Sequence, residues 1–161
     1  GFQYIAEALD IERFTMFTFS PIRGRTELLC DYVRDTVRDG KPFKGDPVIR
    51  QKVAQLVTEC EVARLLGVRF VDAALTAGKT PTIEASEYKL YATELSRRLA
   101  DATMDIAGPG TQLALGTEDA PLKGRAESCY TYTVIDTIGG GSSEVQKNII
   151  AKRKLDLPKN F

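Results

Sequence analysis

The sequence predicts an all-α protein, an antiparallel four-helix bundle with a short extra helix at its C-terminal end. Three observations predict it. Apolar residues recur at steps of three and four along several long segments. Those segments are separated by Gly- and Pro-bearing stops at Asp39-Gly40-Lys41-Pro42, Gly78-Lys79-Thr80-Pro81 and Gly108-Pro109-Gly110. The links between them are short, which makes successive helices antiparallel neighbours.

The first helix is expected to start near Asp10 and run to about Arg38, with a kink at Pro21, before Asp39-Gly40-Lys41-Pro42 closes it. A second opens after Asp46-Pro47, which supplies an N-cap and a proline at the first helical position. Its inward face reads Val53, Leu56, Val57, Cys60, Ala63, Phe70, Val71 and Ala74. The third opens near Thr82 and has the cleanest stripe: Tyr88, Tyr91, Ala92, Leu95, Leu99, Ala102 and Ile106. A loop from Thr111 to about Leu122 leads to a fourth helical segment, Gly124 to Ile138. Its Tyr130-Thr131-Tyr132-Thr133-Val134-Ile135 run also has β propensity. A last short helix runs from Ser143 to about Lys154.

Composition narrows the function classes. The 161 residues carry 22 Lys+Arg against 22 Asp+Glu, so no basic field favours nucleic acid. The length suits one compact domain with a core of its own. Cys30, Cys60 and Cys129 are widely spaced, odd in number and without a CxxC pair. They read as small core residues in a reducing compartment, and a cytoplasmic location is expected. Histidine is absent, which removes Ser-His and Cys-His nucleophile systems, His-based metal sites and the paired Glu-x-x-His motifs of di-metal bundles. No metal site is expected, and acid–base chemistry falls to carboxylates, Tyr, Lys or Cys. No apolar run approaches the roughly 18–20 residues of a membrane span. Because residue 1 is glycine, the chain is expected to be a fragment or a processed form.

Two places carry candidate chemistry. Gly139-Gly140-Gly141-Ser142-Ser143 lets a backbone approach something bulky and then enter a helix, with Ser143 and Gln146 at capping-box spacing. Such a helix start suits an anion; it is also an ordinary junction. Glu12 lies beside an apolar run at the expected start of the first helix. It reads either as a favourable charge at a positive helix end or as a desolvated proton acceptor. Tyr88 and Tyr91 read as seam aromatics, and Lys147, Lys152, Arg153 and Lys154 as charges suited to a helix C-terminus.

Three ordered landmarks raise the weight of these readings. They are Leu9-Asp10-Ile11-Glu12-Arg13, Ala107-Gly108-Pro109-Gly110, and Gly139-Gly140-Gly141-Ser142-Ser143-Glu144-Val145 ahead of an Ala151-Lys152-Arg153 helix end. Together they resemble the C-terminal helical domain of the acyl-CoA dehydrogenases, over nearly the whole chain. The resemblance implies FAD-dependent α,β-dehydrogenation of an acyl-CoA thioester, in which a carboxylate takes the α-proton and flavin takes the β-hydrogen as hydride. Many members place the base in the catalytic loop, where this sequence has Gly140. A smaller set, including isovaleryl- and long-chain-type enzymes, places it on the first helix, and Glu12 matches that arrangement. The resemblance further implies that the Gly140 N–H donates to the thioester carbonyl. It puts Gly108, Gly141, Ser142 and Glu144 at FAD, and Asp10 and Arg13 near the loop and the CoA tail. It implies an electron-transfer flavoprotein as acceptor, a homo- or hetero-tetramer, and a longer multidomain chain, with neither nucleic acid nor membrane as partner.

The sequence also departs from the family pattern. Thr36-Val37-Arg38-Asp39-Gly40 stands where an Arg-x-x-Phe-Gly segment usually grips the flavin pyrophosphate of a neighbouring subunit. Met104 replaces a usual Gln, and Thr131-Tyr132 a usual Arg-Asp. Heteromeric actinobacterial members show similar losses. A non-catalytic assembly subunit, or an acyl-CoA oxidase, are the alternatives.

Overall fold

A computed structural model describes residues 1–15, 19–78 and 80–158. Six helices account for most of them: α1 (Phe2–Thr15), α2 (Phe19–Asp35), α3 (Pro47–Ala77), α4 (Thr82–Ala107), α5 (Arg125–Asp136) and α6 (Ser143–Arg153). The all-α class expected from the sequence is the class observed. Among the described residues no helix is long and apolar enough to cross a membrane.

The chain divides into two compact units. The first comprises Gly1–Phe19, Val62–Glu94 and Ile135–Phe161; the second comprises Ser20–Glu61 and Leu95–Val134. Each therefore draws on four helical segments, a portion of α3 and a portion of α4 among them. In the second unit the α3 and α4 portions run in opposite directions. Lys52 pairs with Asp105 at 3.3 Å and Glu59 with Arg98 at 2.6 Å, so seven residues forward on one helix match seven back on the other. Its core contains Ile22, Leu29 and Val33 of α2, Leu56 and Cys60 of α3, and Leu95, Leu99 and Ile106 of α4. In the first unit Arg69 of α3 reaches Glu84 and Glu87 of α4 at 3.7 and 3.4 Å. Phe14 of α1 stacks on Phe70 of α3 at 4.1 Å and tilts against Tyr88 of α4 at 5.2 Å. Burial pushes the Tyr88 phenol up to about 12, only partly offset by its bond with the Phe19 backbone.

Boundaries follow the local chemistry where the sequence states it. Asp46 caps α3, its Oδ1 accepting from the Val48 and Ile49 N–H groups at 2.8 and 3.1 Å. Gly78 ends it in the left-handed region at φ +61°. Lys79, expected in that stop, lies outside the described residues.

Several details differ from expectation. Helix starts at Phe2 rather than near Asp10; the continuity expected through residues 16–18 lies outside the described residues. Pro21 sits in the first turn of α2, where a missing N–H costs nothing. The helix ends at Asp35, and Asp39-Gly40 (φ +51° and +74°) turns a small antiparallel hairpin of β1 (Val37–Arg38) and β2 (Lys41–Pro42). On α3, Val57 and Val71 are exposed, because its apolar residues cover more of its circumference than its units bury. The Tyr130–Ile135 run is helical, with Thr133 buried and Tyr130, Tyr132, Val134 and Ile135 exposed. In helical form, two of its threonine hydroxyls find partners one turn back, at Glu127 Oε1 and the Tyr130 carbonyl.

Candidate functional site

The first unit brings α1 against the glycine turn before α6. Arg13 Nε donates to the Gly140 carbonyl at 2.9 Å. The same guanidinium is paired through Nη1 with Asp10 Oδ1, one helical turn back, and Asp10 Oδ2 accepts from Thr82 Oγ1 at 2.5 Å. Asp10 and Arg13 are buried at 5% and 6% exposure, so the pair is a desolvated structural unit and not a surface bridge. Asp10 reads in the sequence as a helix-start residue; its carboxylate is instead consumed by Arg13 and Thr82.

Glu12 sits in the same turn of α1 on a different side of the helix from Asp10 and Arg13, which are three apart and share a face. It is half-buried, and its carboxylate makes no hydrogen bond or ion pair with another described residue. Because α1 begins at Phe2, ten residues before it, Glu12 does not stand at the helix's N-terminal end. The reading of Glu12 as a charge stabilised by a positive helix end is therefore set aside, since that effect is confined to the first turn.

The turn itself is over-determined. Gly140 and Gly141 take φ +65° and +95°. Gln146 of α6, fully buried, donates through Nε2 to the Gly140 and Gly141 carbonyls at 3.1 and 3.0 Å. Its amide orientation is fixed, since the flipped form would set an oxygen against two carbonyl oxygens. Its Oε1 is a buried acceptor with no partner among the described residues. A trans peptide directs its N–H opposite to its C=O. With the Gly140 and Gly141 carbonyls drawn toward Arg13 and Gln146, the N–H groups of Gly141 and Ser142 point the other way.

The cap differs from expectation by one residue. Ser142 caps α6, its hydroxyl accepting from the Val145 N–H at 3.5 Å, while the Ser143 hydroxyl donates to Glu94 Oε1 of α4 at 2.6 Å. The capping box expected of Ser143 and Gln146 does not form, because the Gln146 amide serves the turn's carbonyls. A hydrogen bond from Ser142 holds the exposed Glu144 carboxyl below its ordinary range. Lys89 of α4, in the same unit, is fully buried. Its ammonium is pushed down first by desolvation and then by the Arg13 charge, against the pull of Asp136, Glu94 and Glu144.

Gly108, the remaining sequence-chosen residue, belongs to the other unit. It takes φ +83°, and a Cβ built there would meet Arg38 Nη1 at 3.4 Å. Arg38 Nη2 donates to the Ala107 carbonyl at 2.7 Å, and its guanidinium lies 4.7 Å over the Phe43 ring. The sequence singled out neither Gln146 as a turn clamp nor Thr82 as a partner of Asp10. The Thr82 link spans 72 residues and leaves no local trace.

The flavin implied by the resemblance can be tested against these residues. The glycine turn fits: two backbone donors face away from the buried clamp, and no side chain occupies Gly141. The Gly108 turn fits less well, because the Arg38 guanidinium that lies over it is already engaged with the Ala107 carbonyl and the Phe43 ring.

Gly141 has no room for a side chain. A Cβ there would lie 2.8 Å from Gln146 Nε2, which two carbonyls hold in place, and φ is positive. Gly141→Ala is therefore expected to lower stability by about 1–3 kcal/mol in chemical denaturation. Gly24→Ala, in α2 with nothing within 4 Å of its Cβ, should raise it by about 0.5–1 kcal/mol.

Comparison with known proteins agrees with this architecture. The family profile described as "Acyl-CoA dehydrogenase, C-terminal domain" matches residues 1–155. The chain is 27% identical over 163 residues to the acyl-CoA dehydrogenase FadE26 of Mycobacterium tuberculosis, spanning 99% of this chain and 40% of that protein. Among solved structures it is similar to an acyl-CoA dehydrogenase from Geobacillus kaustophilus, with a TM-score of 0.82, 26% identity, and coverage of 98% of this chain and 39% of the other. It is also similar to the ChsE4–ChsE5 complex of M. tuberculosis, with a TM-score of 0.78, 27% identity, and coverage of 89% and 36%. The chain thus spans about two fifths of the length of the relatives it matches. A profile match over nearly every residue, joined to a matching helical architecture, places this chain in the acyl-CoA dehydrogenase C-terminal domain family.

Proposed function

We propose that these residues form the C-terminal helical domain of a longer, FAD-dependent acyl-CoA dehydrogenase, with Glu12 as the base that removes the α-proton. The observation that carries the proposal is the 2.9 Å bond from Arg13 Nε to the Gly140 carbonyl. It ties the helix turn that bears Glu12 to the glycine turn whose N–H groups are free to meet a thioester oxygen. Bound FAD would supply the hydride acceptor. The chain's own residues do the rest: Glu12 accepts a proton at its carboxylate oxygen, and the backbone donors of the Gly140–Ser142 turn stabilise the enolate-like charge that grows on the thioester oxygen. Gly140 is the donor that the family resemblance suggests. The clamp geometry also supports Gly141 and Ser142. Asp10 and Arg13, buried and committed to each other, support a role in holding the turn, with Gly141, Ser142 and Glu144 nearest the cofactor.

Acyl-CoA is the substrate of this reading, an electron-transfer flavoprotein its acceptor, and a cytoplasmic tetramer its setting. Its test is anaerobic mixing of the native flavoprotein with a panel of acyl-CoA thioesters. Bleaching of the bound flavin together with formation of the trans-2-enoyl product is expected. A native protein that carries flavin yet converts no acyl-CoA would overturn the reading.

Two observations favour a second reading. Arg38 is engaged with Ala107 and Phe43, and the similarity to the ChsE4–ChsE5 complex shows that this domain type occurs in a complex of two named proteins. On that reading the chain is a subunit of a heteromer whose flavin diphosphate is gripped by a different chain. Native protein purified alone with one flavin per subunit excludes it.

A further inference from the structure

In the second unit a narrow apolar slot opens between α2, α4 and α5. Leu29 of α2, Leu99 and Ala100 of α4, Leu122, and Ala126 and Cys129 of α5 line it, around about 30 Å³ of free space. A cavity of roughly 150 Å³ holds a benzene ring, so this slot admits the end of an alkyl chain and no ring. At the entrance to α5, Leu122 and Lys123 stand in the left-handed region, at φ +55° and +57°. Residues with a side chain stay there only where their surroundings hold them, and this turn sets Leu122 on the slot.

The charges on the slot select its occupant. Its charged lining residues are both arginines, Arg25 and Arg125, and no carboxylate lies among its described lining. Arg25 is half-buried, and its Nη1 donates to Ser96 Oγ at 2.9 Å, one turn of α4 from Ala100. The other donors of that guanidinium make no bond to a described residue. Arg125 opens α5, one turn before Cys129, and has no partner among the described residues. Two guanidinium groups whose stems border an apolar slot, with no neutralising carboxylate beside them, match an anionic head on an alkyl tail. We propose that the slot binds a short alkyl carboxylate: its last carbons lie between Leu29, Leu99 and Ala126, and its carboxylate meets Arg25 and Arg125. A thioester has no charge to offer these arginines, so the free acid anion is the ligand. The slot belongs wholly to the second unit and takes no part in proton removal, so the inference stands or falls separately from the dehydrogenase reading.

Alkylation of the native protein by iodoacetamide, a neutral thiol reagent, tests it, with the rate at each cysteine read by peptide mapping. Saturating hexanoate is expected to slow alkylation of Cys129 at least about fivefold by filling the slot it lines. Cys30, also half-buried but not on the slot, should react at an unchanged rate. Acetate, which lacks the tail, and hexylammonium, which sets the opposite charge on the same tail, should protect neither. Arg125→Gln, at an exposed position, should raise the hexanoate concentration needed for protection at least about tenfold, and Arg125→Lys should recover part of the loss. The proposal is overturned if Cys129 does not react in the native protein, if hexanoate leaves its rate unchanged or slows Cys30 equally, or if hexylammonium protects as well. Protection that survives Arg125→Gln undiminished overturns the placement of the carboxylate.

Discussion

Glu12→Gln in the flavin-loaded native protein is expected, if Glu12 is the proposed base, to lower turnover about a hundred- to ten-thousand-fold, the usual contribution of a positioned base. The amide keeps the shape of the carboxylate and cannot accept the α-proton. The fold should not change, because the Glu12 carboxylate has no partner among the described residues whose loss could unfold α1. The effect should appear in kcat with substrate affinity retained, since the base acts as the C–H bond breaks. An α-deuterated substrate should then show a larger isotope effect in the variant, as proton removal becomes more nearly rate-limiting. Glu7→Gln, an exposed carboxylate on the same helix, is the control and should leave turnover unchanged. Near-normal turnover of the Glu12 variant at equal flavin content would falsify the base assignment.

The parts of this fold legible in the sequence are those fixed by local chemistry. Asp46-Pro47, Gly78 and Gly108 set helix ends through caps and left-handed backbone, which depend on a few neighbouring atoms. The buried stripe of α4 was legible because a helix packed on several sides repeats its apolar residues strictly. What escaped depends on distant partners. Asp10 has the residue type of an N-cap, and only Thr82 and Arg13 reveal it as a buried helix-interior anion. Asp39-Gly40 is as good a hairpin signal as a helix stop, and the pairing of Val37 with Pro42 decides between them. At the site, the glycine triplet was readable as a close-approach turn. The Gln146 clamp was not: a one-residue shift of the cap from Ser143 to Ser142 turns a capping-box glutamine into a donor to two carbonyls. Arg38 illustrates the same limit, since its acceptor at Ala107 lies 69 residues away.

Asp10→Ala is expected to cost about 3–5 kcal/mol of stability, because it leaves the Arg13 guanidinium buried without its anion. Thr82 loses its acceptor in the same step. The cost belongs to the stranded charge more than to the pair, so removing both members separates stability from positioning. Asp10→Leu combined with Arg13→Met fills a similar volume with apolar atoms and should recover most of the loss in chemical denaturation. Turnover should not recover with it. The Gly140 carbonyl would no longer have its 2.9 Å donor, leaving Gln146 as the remaining clamp and the outward N–H groups free to rotate. A double variant that regains both stability and activity shows that Arg13 merely balances a charge. One that regains stability alone shows that the arginine aims the glycine turn. The two outcomes differ in kcat, a quantity that the energetics of the buried pair would leave untouched.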